Sequence, residues 1–149
     1  RFSSGGGKQL DGFALGAPGQ YSLKQYLAEF HMKFRGLALQ HEFHTKHIRD
    51  NINVSTTNMR GAYVAAGYFF HHMFKRVPRQ LELGVRYAFV DPNIGTGGNM
   101  QKEVSLLVNW FFYGHGNKLS IDTSRYSLGR GGGAPLKDTQ VRVQWDVSF

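Results

Sequence analysis

The sequence holds no cysteine and only four prolines. With no disulfide framework available, the fold must stand on backbone hydrogen bonds and side-chain packing alone. No stretch approaches the roughly 18 to 20 consecutive apolar residues of a membrane-spanning helix, which excludes a helical membrane protein. That test is blind to a β-barrel, where only every second residue faces lipid, and a mean hydropathy of −0.37 is compatible with one. Lysine and arginine outnumber aspartate and glutamate by 18 to 10, for a formal charge of +8. The basic residues are dispersed, without a basic run or a nucleic-acid-binding motif, so nucleic acid is not expected as a partner. The length of 149 residues suits one domain. The opening residues do not read as a signal peptide, and a chain opening at Arg1 is expected to be a processed product or a piece of a longer protein.

What the sequence has instead is alternation. In the last stretch Val141, Val143, Trp145, Val147 and Phe149 fall on one side of an extended strand, and Arg142, Gln144, Asp146 and Ser148 on the other. The same period-two pattern recurs upstream. Residues 1–21 are glycine-rich and read as a lead-in loop, with a weak strand possible at Gln9 to Leu15. From Lys24 to Phe34, Tyr26, Ala28, Phe30, Met32 and Phe34 oppose Gln25, Glu29, His31 and Lys33. Arg35-Gly36 is a tight turn, and Leu37 to Lys46 is the return strand. Ile48 to Met59 reads as a polar loop, and Arg60 to Phe70 as a third strand. His71 to Arg79, with Pro78, is a connection. Gln80 to Val90, Lys102 to Tyr113 and Lys118 to Tyr126 alternate again, separated by a loop from Asp91 and a short turn at Gly114 to Asn117. A glycine-rich loop from Leu128 to Asp138 precedes the last strand. Seven strands are expected, of about 9 to 12 residues, which suits a tilted bilayer crossing better than the soluble mode of about 5 to 6.

Expected long connections at 48 to 59, 91 to 101 and 128 to 138 alternate with shorter ones at 35 to 36 and 114 to 117; 71 to 79 is intermediate. Strands that run into the shorter connections or the C-terminus end in aromatics: Phe34, Phe69-Phe70, Phe111-Phe112-Tyr113 and Phe149. Together these features predict an all-β, antiparallel transmembrane β-barrel over residues 22–149, with an aromatic girdle at one rim. Phe34, Phe70, Trp110, Phe112, Trp145 and Phe149 are its lipid-facing and girdle residues. A soluble ligand-binding β-barrel would also alternate, but would point its apolar residues inward and need no aromatic rim. A small outer-membrane barrel without a channel is a further alternative.

Gly67-Tyr68-Phe69-Phe70, Leu81 to Tyr87 with Val90-Asp91-Pro92-Asn93, Val108 to Phe112 and the terminal Val141 to Phe149 together resemble the C-terminal half of the phosphate-selective porin O and P family. The resemblance implies a bacterial outer-membrane porin, a homotrimer of sixteen-stranded barrels that conducts small anions such as phosphate. This chain would then supply the C-terminal seven or so strands. The last stretch also resembles the C-terminal strand of bacterial outer-membrane β-barrels at large, which implies that the terminal Phe149 belongs to the signal read by the outer-membrane assembly machinery. The odd strand number agrees with a partial barrel, since both termini of such barrels lie on the periplasmic side.

On the face opposite the apolar one, Lys33, Lys46, Arg86, Lys118 and Arg142, with Glu82 and Asp146, are the pore-lining candidates. They could line an anion path or pair across neighbouring strands. With Glu29, Glu42, Glu103 and Asp122 the charges of this face nearly cancel, so the basic excess is expected in loops, turns and strand ends. His41 and Arg125 interrupt the apolar face. His41, His44 and His47 do not converge in a strand, and no metal site is expected. The glycine stretches lack the residues of a phosphate cradle. No nucleophile sits beside a base at recognisable spacing, so neither an enzyme nor a cofactor is expected.

Overall fold

The computed structural model describes residues 20–113 and 116–148. Seven strands form one antiparallel sheet in sequence order: β1 Tyr21–Phe34, β2 Leu37–Asp50, β3 Ser55–Tyr68, β4 Leu81–Asp91, β5 Gln101–Tyr113, β6 Asn117–Leu128 and β7 Leu136–Val147. The lead-in segment up to residue 19, the weak strand at Gln9 to Leu15, and Phe149 lie outside the described residues.

The strands are 11 to 14 residues long, longer than the alternation alone suggests. The polar stretch Ile48 to Met59 is mostly strand, and the connection shrinks to residues 51–54. Its polarity reflects strand ends that are wet on both faces. Asp50 organises this turn: its carboxylate accepts the Ile52 and Asn53 backbone N–H groups at 2.9 and 3.0 Å, and the side-chain amides of Asn53 and Gln20. The turn forces Val54 to a φ of 51°, a costly value for a β-branched residue. The β6–β7 connection likewise shortens to 129–135.

The third strand ends at Tyr68 rather than Phe70. Phe70–His72 forms a 3-10 turn instead, because the connection 69–80 folds back on the β1–β2 turn. Phe69 donates its backbone N–H to the Gly36 carbonyl at 3.0 Å, and the His72 ring lies against Gly36, whose φ of 81° and missing side chain make room for it. Phe70 packs edge-on to Tyr68, with ring centroids 5.0 Å apart. The longest connection is thus at the same end as the two tight turns. The expected alternation of long and short loops does not hold in the structure.

Among the described residues, β1 and β7 do not meet, and each leaves one edge unpaired. No hydrophobic residue among them is buried. A single sheet has no second layer to pack on, so there is no core in the soluble sense.

Candidate functional site

The antiparallel register decides which side chains share a face. Phe30 pairs with His41, His41 with Val64, Val64 with Tyr87, Tyr87 with Val104, Val104 with Arg125 and Arg125 with Thr139, so these project to one side. The same side carries the expected apolar sets of every strand. On the inner strands, away from the sheet edges, Val85 is 53% exposed, Val104 53% and Leu106 60%. Phe34, Trp110, Phe112 and Trp145 belong to this face by their strand positions, while Phe70 joins it only through its contact with Tyr68.

The opposite face is polar and shielded. Ser105 and Ser124 retain 3% of their exposure, and Asp122 is buried beside them. Side chains crowd on a concave face and splay on a convex one. The sheet therefore curls toward its polar side, where a depression of about 230 Å³ opens between Lys33, Gln40, Glu82, Arg86 and Asn109. Its floor is made of Ala38, Ala65, Gly67 and Gly84, residues too small to fill it.

All seven pore-lining candidates stand on this polar face, but they are not equivalent. Arg86 donates to Glu103 at 2.6 Å and lies 4.9 Å from the centre of the Tyr63 ring. Arg142 Nε donates to Asp122 at 2.7 Å, and Lys118 Nζ lies 3.3 Å from Asp146. Glu82 accepts from the Asn109 amide at 2.8 Å. Neither Lys33 nor Lys46 pairs with a carboxylate among the described residues.

These contacts join end to end. His44 and the Tyr63 hydroxyl both hold Glu42, Gln40 donates to that hydroxyl, and Arg86 stacks on the Tyr63 ring. Arg86 then reaches Glu103, which accepts from Ser105 at 2.7 Å; Ser105 bonds Ser124, and Ser124 leads to Asp122 and Arg142. One chain of polar contacts thus crosses from β2 to β7 at mid-height. Partly solvated cross-strand pairs of this kind contribute about 0.2 to 1 kcal/mol each.

The register also completes the charge count. Asp50 and Asp138 fall on the polar face with Glu29, Glu42, Glu82, Glu103, Asp122 and Asp146, against five bases. This face is acidic in excess, not nearly neutral. The cations are elsewhere. Lys24, Arg49, Arg60, Lys102, Arg125 and Lys137 stand on the apolar face, all toward the end formed by the connections 51–54, 92–100 and 129–135. All six are exposed. Asp91, held by Arg60 at 3.5 Å, is the one carboxylate beside them among the described residues.

Below four of the six cations comes an aromatic on the same face. Arg60 and Tyr68, Lys102 and Trp110, and Lys137 and Trp145 are eight positions apart, and Lys24 and Phe34 ten. Eight positions are about 27 Å along a strand. Arg125, an interruption when β6 is read alone, is a member of this row. The sequence shows each cation singly; only the pairing of strands lines them up. His41 hydrogen-bonds the Tyr63 carbonyl at 2.9 Å, which satisfies it within the apolar face.

Outside the strands, His71 is the perturbed group. Burial pushes its pKa down, and His72, Arg79 and Lys75 push it the same way. Among the described residues no three His, Cys, Asp or Glu side chains come together as a metal site would require. No family model, curated protein or solved structure matches the chain.

Proposed function

We propose that this sheet is a segment of the wall of a transmembrane β-barrel in the bacterial outer membrane, and that the barrel is a passive diffusion channel, a porin. The observation that carries the reading is the direction of curl: the polar face is concave and shielded, the apolar face convex and open. A soluble ligand-binding barrel has the opposite polarity. The band between the aromatic row and the cation row adds support. About 27 Å of strand tilted by about 40 to 45° spans about 19 to 21 Å of membrane normal, and the ten positions of β1 span about 24 to 26 Å, close to the apolar band of about 25 Å around such barrels. The open edges of β1 and β7 ask for further strands, as in the sixteen-stranded homotrimer that the resemblance implies.

Selectivity for small anions such as phosphate is part of the same proposal, but this wall is not its source. Three of the five bases are neutralised by carboxylates at 2.6 to 3.3 Å. Lys33 and Lys46 remain for a passing anion, with the basic residues of the connections, Lys75, Arg76, Arg79 and Arg130, as vestibule charges. No reaction chemistry is implied.

The channel reading is tested by reconstituting the protein in planar bilayers. Stepwise ohmic conductance is expected, and a protein that stays monomeric in detergent-free buffer would sink the reading. Reversal potential in a salt gradient then measures selectivity. Anion preference supports the phosphate-class assignment and places the selecting residues beyond the paired wall; cation preference refutes that assignment and leaves the porin intact.

A further inference from the structure

The row of cations on the apolar face has no role in a pore, because it stands outside it. We propose that Lys24, Arg49, Arg60, Lys102, Arg125 and Lys137 form a belt that binds phosphate-bearing lipid headgroups at the rim opposite the aromatic girdle. The inference rests on the membrane reading and deepens it by naming a lipid class and the rim that holds it.

Three observations lead to it. Six of the seven strands contribute one cation each, all on the outward face and all at one end. Five of the six have no carboxylate partner among the described residues, although eight carboxylates stand on the other face of the same sheet. The row also steps with the strands. From β2 to β6 it descends relative to the hydrogen-bonding partners, with Arg60 opposite Thr45, Lys102 opposite Phe89 and Arg125 opposite Val104, while at the edges Lys24 sits two positions below Arg49 and Lys137 two above Arg125. That slope is what a level line must show on strands tilted by about 35 to 45°. The cations thus lie near one depth in a membrane.

Depth decides what they meet. Lysine or arginine at the midplane of a barrel's lipid face costs about 2 to 4 kcal/mol, falling to about 0 to 1 kcal/mol near the interface. Long side chains reach the headgroup layer from there, and opposite charge makes a phosphate the fitting partner. Among the described residues, Asp91 beside Arg60 is the single local competitor.

The test uses tryptophan quenching by brominated lipids. A Tyr26→Trp reporter, in a Trp110→Phe/Trp145→Phe background, sits on the outward face two positions from Lys24. The full chain is reconstituted in vesicles that contain brominated phosphatidylcholine or brominated phosphatidylglycerol at equal fraction. Phosphatidylglycerol is expected to win at this reporter by about fivefold, the factor one cation near a membrane surface supplies. Lys24→Gln/Arg49→Gln should return the ratio to one while quenching by phosphatidylcholine stays unchanged, which also certifies insertion. Equal quenching by both lipids overturns the belt and leaves the membrane reading standing, as does an excess that survives the double substitution. Absence of quenching by either lipid overturns both.

Discussion

A lysine moved along β7 reads the two-faced wall directly. Val141 lies midway between Lys137 and Trp145 on the outward face and is 66% exposed; Gln140 is its neighbour on the polar face, and Thr139 lies one step nearer the cation row. At an exposed site of a soluble protein each substitution would change stability by no more than about 0.5 kcal/mol. In a bilayer Val141→Lys instead places an ammonium near the midplane, at about 2 to 4 kcal/mol, while Thr139→Lys falls toward about 0 to 1 kcal/mol. Gln140→Lys loses the hydrogen bond from the Tyr126 hydroxyl, 3.1 Å long, for about 0.5 to 1.5 kcal/mol. The expected order of cost is therefore Val141 above Gln140, with Thr139 at or near the bottom. Denaturant titration of the three variants and the parent in lipid vesicles, followed by tryptophan fluorescence and gel mobility of unheated samples, gives the free energies. A penalty at Val141 no larger than at Gln140 would refute the assignment of faces. Equal penalties at Val141 and Thr139 would refute the depth assignment.

Three further predictions concern separate parts of the sheet. Glu103→Gln removes the charge opposite Arg86 and loosens the mid-height chain; a loss of about 0.2 to 1 kcal/mol is expected by denaturant titration, with a gain of anion over cation permeability in bilayer recordings. Gly129→Ala would place a methyl 2.3 Å from the Gly98 carbonyl oxygen and 2.7 Å from that of Met100, so the 92–100 and 129–135 connections must part. The expected cost is about 1 to 3 kcal/mol, with faster protease cleavage in both connections. His71 has a depressed pKa in the folded state because its partial burial and the charges of His72, Arg79 and Lys75 disfavour the protonated ring. The unfolded chain then binds the proton more readily, so stability is full above the ordinary histidine range and declines as the pH falls through about 6.5. A pH series of unfolding midpoints should lose part of this acid limb in His71→Phe.

Period-two alternation made the faces legible, because one strand suffices to show which residues share a side. Turns were harder to place. Ser55 to Asn58 are polar on both faces, and nothing in such a stretch distinguishes a loop from a strand that has left the apolar band. The aromatic pair Phe69-Phe70 looked like a continued strand, since the return of 69–80 onto Gly36 depends on a contact about 36 residues away in sequence. Arg86 with Glu103, and Arg142 with Asp122, needed the register, which alternation leaves undetermined by any even number of residues. The same register converted Arg125 from an exception into part of a row.

The mid-height contacts from Glu42 to Arg142 have a mechanical consequence. Sliding of one strand past its neighbour breaks the backbone hydrogen bonds of their ladder together, and side-chain contacts across the same seam add to that resistance. Contacts such as Arg86–Glu103, Ser105–Ser124 and Asp122–Arg142 lock successive strands against that shear, like a hoop laid around the inside of a cask. The hoop stops short of β1, where Glu29 faces Glu42 with like charge. At mid-height β1 is therefore held to β2 by its ladder of fourteen residue pairs, while β4 to β7 carry ladder and hoop together.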